Sequence, residues 1–200
     1  MSNQQTSLQP RYKKGKLKLI EATLESLMAE GSEGASIRKI CDRANVSIGL
    51  VNYHFTSINE LLAAAYKHLS MGVLSAAVEK SEVHAGDPRR CLSAFMEEIF
   101  SHKVLQPSVL RAWLVFWGMV DSSAAIRMAH DEVNTASWEF LEKIIIGMDQ
   151  QSKVKLSPRL AAIGLSSMID GLWLEKCLQP DTFTAIEAVR LCEFWVDAIA

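Results

Sequence analysis

Residues 36–55 read SIRKICDRANVSIGLVNYHF, and this stretch decides how the N-terminal part of the chain folds. A short helix is predicted from Ser36 to the break at Asn45, and a second one from Ser47 to His54. Asn45 tolerates the left-handed backbone that a tight turn needs, and the Ser47 side chain can cap the helix that follows. Two short helices joined by such a turn predict a helix-turn-helix. Its small core is expected to hold Ile40, Ala44, Val46, Val51 and Phe55.

The second helix of this motif has residues that suit contact with DNA. In a helix-turn-helix the second helix enters the major groove, where its exposed side chains meet base edges and phosphates. The positions available to the groove are Ser47, Ile48, Gly49, Leu50, Asn52, Tyr53 and His54. Asn52 can pair with a base edge, whereas Tyr53 and His54 are expected to hold phosphates. The amide groups at the start of the Ser36 helix would do the same. An ordinary helical hairpin is the alternative.

Charge is distributed unevenly along the chain, which has a net charge of −2. Residues 1–56 carry 8 lysines and arginines against 5 acidic residues, whereas the remaining residues carry 13 against 18. Five of the cations, Lys16 among them, precede the first acidic residue, Glu21. This asymmetry favours an N-terminal end that faces nucleic acid, although a solvated basic tail would give the same pattern.

Helical periodicity continues through the rest of the chain. Apolar residues recur three and four positions apart, and no stretch reads convincingly as a strand. Helix breaks or starts are predicted at Gly31, 86–88, Pro107, Ser122 or Ser123, 153–157, and Asp181 or Thr182. The sequence therefore predicts an all-α fold.

Composition excludes several classes of protein. With 49% hydrophobic residues the chain can bury a core. No uninterrupted apolar run approaches the ~18 residues of a membrane span. Residues 1–10 are polar and lack the apolar core of a signal peptide, so a cytoplasmic location is expected. The four cysteines show no C-x-x-C spacing and are expected to be buried free thiols.

Patterns typical of catalysis or metal binding are missing from the sequence. It has no Gly-rich phosphate loop, no nucleophile elbow and no metal-ligand spacing. His130, Asp131 and Glu132 are consecutive, so on a helix they point to different faces. We therefore expect no metal, no cofactor and no enzymatic activity. A small enzyme that uses a C-terminal cavity and a helical adaptor that binds no DNA are the alternatives.

The helix-turn-helix stretch resembles the TetR/AcrR family of bacterial repressors. The resemblance is carried by Val46-Ser47, Gly49, Tyr53-His54-Phe55, the Ser-x-x-Glu-Leu at 57–61, Ile20-Glu21-Ala22 and Gly31. Asn45 stands where that family usually has a turn glycine, and Ile58 where it usually has a lysine that contacts phosphate. Lys16, Lys18 or Lys39 could supply that phosphate contact instead.

The resemblance implies about nine helices, a homodimer and release from operator DNA when a ligand binds. It divides the chain into a DNA-binding domain over 1–56 and a ligand-binding and dimerisation domain over 57–200. Two further segments, 110–117 and 168–174, look like those of the BetI-like subgroup of choline-responsive repressors. Glu175 follows the second segment, where an arginine would be expected.

Aromatic residues at helical spacing form the candidate ligand site. The candidates are Trp113, Phe116, Trp117, Asn134, Trp138, Asp170 and Trp173. The first three share one helix face, Asp170 and Trp173 share another, and Asn134 precedes Trp138 by one turn. If these faces converge, aromatic walls with a carboxylate would suit a quaternary ammonium cation, at ~0.5–2 kcal/mol for each cation–π contact.

Other interpretations of these residues stay open. Large aromatic residues at helical spacing also fill ordinary cores. A buried Asp170 needs a partner, which could be Arg111 or a backbone amide. The expected effector is choline or another quaternary ammonium, and the alternative is an unrelated apolar compound such as a drug, a fatty acid or an aromatic metabolite.

The last two predicted helices, about 158–178 and 182–199, suit a dimer interface. Small and apolar residues lie on one face of each, as in a four-helix interface between two copies. A dimer would let two recognition helices reach DNA half-sites that lie ~34–36 Å, or a multiple of this, apart. The expected partners are therefore double-stranded operator DNA, a small-molecule effector and a second copy of the chain.

Overall fold

The computed structural model describes residues 5–148 and 156–199, with side chains from residue 13 onward. Within these residues it contains nine α-helices, a short 3-10 helix over Gly31–Gly34, and no strand. The α-helices are α1 Gln5–Glu30, α2 Ile37–Ala44, α3 Ile48–His54, α4 Ile58–Glu82, α5 Pro88–Ile99, α6 Pro107–Met119, α7 Ala124–Ile146, α8 Pro158–Leu178 and α9 Ala185–Ile199. The predicted all-α fold is confirmed.

The described chain forms two compact units. The first contains the residues up to Leu69 together with Arg111–His130, and the second contains Ser70–Leu110 together with the residues from Asp131 onward. Helices α4, α6 and α7 each pass from one unit into the other. The predicted boundary between residues 56 and 57 concerns the roles of the two parts and stays a prediction.

The first unit contains the helix-turn-helix, in which α2 and α3 pack on α1. Asn45 adopts the left-handed conformation with a φ of 48°, as the sequence predicts. Its N–H donates to the Asp42 carbonyl at 3.1 Å, and the next N–H, of Val46, donates to the Cys41 carbonyl at 3.0 Å. Of the predicted core, Val46 is half-buried and the others are buried: Ile40, Ala44, Val51 and Phe55.

A close backbone approach shapes the end of α1. A Cβ atom at Gly34 would lie 2.2 Å from the Ser26 carbonyl oxygen, which no real contact allows. Only glycine therefore lets the 3-10 helix turn back against the helix that precedes it. This contact places the start of α2 beside α1.

Local capping sets where the helices of the second unit begin. The Asp87 side chain accepts hydrogen bonds from the N–H groups of Arg89 and Arg90, both at 3.1 Å, and Pro88 is the first residue of α5. Ser157 caps α8 by accepting a hydrogen bond from the Leu160 N–H at 3.4 Å. Both starts agree with the predictions.

The start of α9 differs from the expectation. The prediction that Asp181 or Thr182 caps this helix is wrong, because Thr184 is the cap. Its hydroxyl accepts from the Glu187 N–H at 3.3 Å, and the Glu187 carboxylate accepts from the Thr184 N–H at 2.7 Å. This reciprocal pair is a capping box, which satisfies two backbone donors at once.

Helix α9 packs on both α5 and α8. Arg89 at the start of α5 pairs with Asp197, and the Ser93 hydroxyl donates to the Glu193 carboxylate. On the α8 side, the Trp195 ring lies directly over Gly164. The second half of α9 is thus held by polar contacts to α5 and by close packing on α8.

Helix α4 is, among the described residues, the one straight helix long and apolar enough to cross a membrane by length and composition. Core helices pass the same test when one face is buried. Leu61, Leu62, Ala65 and Tyr66 are buried on this helix. Its apolar character is therefore accounted for by packing within the protein.

Replacing Gly164 should weaken the α8–α9 packing. A Cβ atom there would lie 2.7 Å from the Trp195 ring, so Gly164→Ala is expected to lower the free energy of unfolding by about 1–3 kcal/mol, as overpacking does. Gly171→Ala on the same helix is the matched control, because no atom lies within 4 Å of its Cβ. The control should gain about 0.5–1 kcal/mol from helix propensity. Urea unfolding measures both, and equal effects of the two variants would refute the proposed contact.

Candidate nucleic-acid interface and ligand-binding residues

Most of the residues in and just before α3 that are predicted to contact DNA are exposed to solvent. Ser47, Gly49 and Asn52 are exposed, and Tyr53 has an exposed fraction of 67%. Ile48 is also exposed, and Leu50 is half-buried. Val51 on the opposite side is buried. The outward face of α3 is therefore polar and aromatic towards its C-terminal end, with an apolar residue at its first position.

His54 does not fit the expectation that it is available to the major groove. Its side chain is only 7% exposed, and a Cβ atom at Gly15 of α1 would lie 2.8 Å from its Nε2 atom. Burial lowers the pKa of the imidazole, and the positive charge of Lys16 lowers it further. As the last residue of a short helix, His54 faces α1 and packs α3 onto it.

Two of the three lysines predicted to contact phosphate, Lys16 and Lys39, have different surroundings. Lys16 is half-buried, and its ammonium lies 5.1 Å from the centre of the Phe55 ring, within range of a cation–π contact. Lys39 lies on α2 and makes an ion pair of 2.6 Å with Glu30. Arg43 reaches the same carboxylate at 3.0 Å, and the two cations hold the pKa of Glu30 below its usual value. Sequence reasoning missed this cluster because it joins residues across a helix break.

The start of α2 is where backbone amide groups are predicted to hold a phosphate. Ser36 is half-buried at the N-cap position, and its side chain makes no capping hydrogen bond. Its carbonyl accepts from the Ile40 N–H at 2.9 Å. The helix holds just eight residues, and contact of its first amide groups with phosphate stays a prediction.

Three of the candidate ligand residues lie on α6 in the first unit. Trp113 and Phe116 are buried and Trp117 is half-buried. The centre of the Phe116 ring lies 5.3 Å from that of Tyr66 in an edge-to-face arrangement. Tyr66 also stacks on His130, with 6.1 Å between ring centres. Phe116 thus serves a core contact whose partners the sequence did not single out.

The other four candidates lie in the second unit. Asn134 and Trp138 are half-buried on α7, while Asp170 and Trp173 lie on α8. Ser166 and Trp173, one turn either side of Asp170, are buried, so the carboxyl lies on the inward stripe of α8. Its removal from water raises its pKa to about 6. Among the described residues of this unit, no hydrogen bond or ion pair reaches the Asp170 carboxylate. That the α6 group and these four form one site stays a prediction.

The second unit also holds a cleft of about 440 Å³ between the end of α4, the start of α5 and the end of α7. None of the candidate ligand residues lines it. Its walls are apolar apart from Ser81, Glu82 and Lys143. These three side chains belong to no motif of the sequence.

An apolar face of α8 and α9 is exposed in the single chain. The exposed residues are Leu160, Leu174, Leu178, Ile186, Leu191 and Phe194. Phe194 has an exposed fraction of 76%. Large apolar side chains at such exposure mark surfaces that bind another molecule.

Comparison with known proteins gives two matching family models. The model described as bacterial regulatory proteins of the tetR family matches residues 19–65. The model described as the C-terminal part of BetI-type transcriptional repressors matches residues 88–200. Both agree with the resemblance that the sequence motifs indicated.

Individual relatives cover almost the whole chain. The HTH-type transcriptional regulator BetI of Paraburkholderia phymatum is 30% identical over 181 residues, which is 90% of each chain. The crystal structure of a transcriptional regulator from Pseudomonas aeruginosa PAO1 is 41% identical with a TM-score of 0.80, covering 91% of this chain and 88% of that one. A regulator from Saccharomonospora viridis, crystallised in complex with choline, shares the fold at 18% identity and a TM-score of 0.75, covering 92% and 96%.

The ionised Asp170 carboxylate should destabilise the protein above pH 6. In the unfolded chain this group ionises near pH 3.8 and in the folded protein near pH 6. Between these values the folded state holds a proton that the unfolded state has lost, so stability falls as pH rises through this window. Asp170→Asn should therefore raise the free energy of unfolding at pH 7.5 by up to about 3 kcal/mol, since one pKa unit corresponds to ~1.4 kcal/mol.

Urea unfolding of this variant at several pH values measures the effect. The gain should shrink as pH falls from 6 towards 4. Asp181→Asn is the matched control, because Asp181 is exposed and its substitution should change little. A gain that is the same at pH 5 and pH 7.5 would show that burial of the charge is not its cause.

Proposed function

The chain belongs to the TetR family of bacterial transcriptional regulators, with a C-terminal part of the BetI repressor type, and from this we propose that it is a dimeric repressor released from its operator by a small quaternary ammonium cation. Choline is the compound to test first. The observation that carries the choice of effector is the Asp170 carboxylate, which lies beside Trp173 on the inward stripe of α8 and has no partner among the described residues of its unit.

The DNA-binding part of the proposal rests on the outward face of α3. Asn52 and Tyr53 are exposed there, and Asn side chains recognise adenine through two hydrogen bonds in the major groove. Lys16 and the amide groups after Ser36 would contact the phosphate backbone. Lys39 would exchange its exposed ion pair with Glu30 for a phosphate, because such pairs contribute little in water. His54 would act by holding α3 against α1.

The choice of effector rests on the Asp170 carboxylate and on the similarity of the chain to known regulators. A carboxylate that has lost water and has no partner among the described residues of its unit gains most from a cation, which brings a positive charge without needing hydrogen bonds. Aromatic faces such as that of Trp173 stabilise the same cation. The proposed pocket would add Trp113, Trp117, Asn134 and Trp138, with Phe116 as part of its wall. Curated relatives are named BetI, and the Saccharomonospora viridis regulator binds choline.

A second candidate is an uncharged apolar effector. Trp113 and Phe116 are buried among other apolar side chains, as they would be in the wall of a pocket for a drug, a fatty acid or an aromatic metabolite. Glu175 stands where the BetI-like subgroup would have an arginine, and this difference also favours a different ligand. Protonated Asp170 would then be a neutral hydrogen-bonding group in that pocket.

The exposed apolar face of α8 and α9 supports the dimer. Leu174 and Leu178 of α8 and Leu191 and Phe194 of α9 would be covered by the same residues of a second copy, as a two-fold interface requires. In this arrangement residues 1–56 read DNA, and residues 57–200 bind the effector and dimerise. A bacterial regulator of this kind acts on chromosomal DNA, so we propose a cytoplasmic location.

Choline should bind the native dimer and release the operator. Binding to the native state alone raises stability by about 2.7 kcal/mol at a hundredfold excess over Kd. Affinity should be nearly constant above pH 6 and fall about tenfold per pH unit below it, because protonated Asp170 carries no charge to attract the cation. Isothermal titration at pH 5 and pH 7.5 measures this. Equal affinity for choline at both pH values would contradict a cation site at Asp170. Binding of uncharged apolar compounds alone would favour the second candidate instead.

Asn52→Ala should lose sequence discrimination rather than DNA binding as such. We expect its affinity for an operator selected from random DNA to fall by about 1–3 kcal/mol, the value of one good bidentate base contact. Affinity for a non-operator duplex of equal length should hardly change. Lys16→Gln should behave differently, because losing a phosphate contact weakens the affinity for both duplexes alike. It should also reduce the slope of log K against log salt concentration by about 1. Titration of both duplexes at several salt concentrations separates the two, and equal losses for Asn52→Ala on both would remove it from base recognition.

A further inference from the structure

Arg111 joins α6 to the end of α1. Its Nη1 atom donates to the Met28 carbonyl at 3.0 Å and to the Ala29 carbonyl at 3.3 Å. All three residues belong to the first unit, in which α1 carries the helix-turn-helix. The contact spans 83 positions of sequence. It is therefore a tertiary bond between the DNA-reading helices and a helix that begins in the second unit.

The end of α1 needs such a donor. The last four carbonyls of an α-helix have no partner within the helix, and together they carry a partial negative charge. Helix α1 ends at Glu30, and Gly31 turns the chain away with a φ of +61°. A Cβ atom at Gly31 would lie 3.6 Å from Cδ of Arg111. The arginine stem thus lies against the glycine while its guanidinium caps the helix.

The same end of α1 is tied to α2. Glu30 accepts from Lys39 and Arg43, at 2.6 Å and 3.0 Å. Helix α2 leads through the turn at Asn45 into α3. A continuous series of polar contacts therefore runs from α6 through the last turn of α1 to the helix that precedes the recognition helix.

We propose that Arg111 is a positioning residue that holds the helices α1–α3 in a fixed orientation on α6, and thereby sets the distance between the two recognition helices of the dimer. The proposal rests on the proposed function, since spacing matters only to a dimer that binds two half-sites. Helix α6 also carries Trp113 and Trp117, so movement of α6 upon ligand binding would act on α1 through this contact. The guanidinium is exposed, so water can replace it in a variant without great loss of stability.

The first test compares operators of different length. We would select an operator from random DNA with the wild-type protein, then insert one base pair between its half-sites. In Arg111→Met the preference for the original spacing should fall about three- to tenfold, as loss of exposed charge-assisted hydrogen bonds would give. Arg111→Lys should restore at least half of this on a logarithmic scale. Arg127→Met is the control: this exposed arginine of the same unit pairs with Asp121, away from α1.

The second test needs no DNA. Amide hydrogen exchange of residues 28–45 should become about three- to tenfold faster in Arg111→Met than in wild type or Arg127→Met, because the end of α1 loses its cap. The two tests distinguish the possible failures. If the wild-type protein selects no operator, the proposed function is wrong, and the exchange rates alone decide whether Arg111 holds the end of α1.

Two results would overturn the role of Arg111. One is unchanged exchange over residues 28–45 in Arg111→Met. The other is an equal loss of affinity for both operator lengths, which a purely structural defect would give. Retained spacing preference in Arg111→Met, with Arg111→Lys indistinguishable from it, would count against the proposal in the same way.

Discussion

The left-handed backbone at Asn45 is the constraint on which the proposed DNA-binding surface depends. Non-glycine residues pay about 1–2 kcal/mol for this conformation, and asparagine is among the few that adopt it readily. Reversing the chain within one residue brings Ala44 and Val51 into the same small core. Only then do Asn52 and Tyr53 face solvent, because the opposite side of their short helix is already occupied.

Three of the positive charges of the first unit are held by contacts with other side chains. Lys16 lies over the Phe55 ring, and Lys39 shares Glu30 with Arg43. Each arrangement limits where a flexible side chain can go while leaving its charge near the surface. Lys16 would therefore lose little further entropy on meeting a phosphate, which is how preorganisation strengthens binding.

In the second unit, by contrast, the Asp170 carboxylate lowers the stability of the fold when it is ionised. Asp170 has lost water without gaining a partner among those residues of its unit that the structure describes, and the loss of water raises its pKa. Local conflicts of this kind are usual at functional sites, where binding a ligand recovers what folding lost. Helices α4, α6 and α7 run through both units. Arg111 ties the second of these helices to the end of α1.

The sequence alone determined the helices and the family, because both depend on residues close together in the chain. Caps such as Asp87 and turn residues such as Asn45 act within four positions, so their pattern can be read directly, and the one misplaced helix start had a second capping residue nearby. Tertiary structure decided that His54 packs against α1 instead of facing outward, and that Arg111 reaches the last carbonyls of α1. It also placed Phe116 against a tyrosine of another helix. These contacts depend on the angles between helices, which arise from packing over long sequence separations and leave no local pattern.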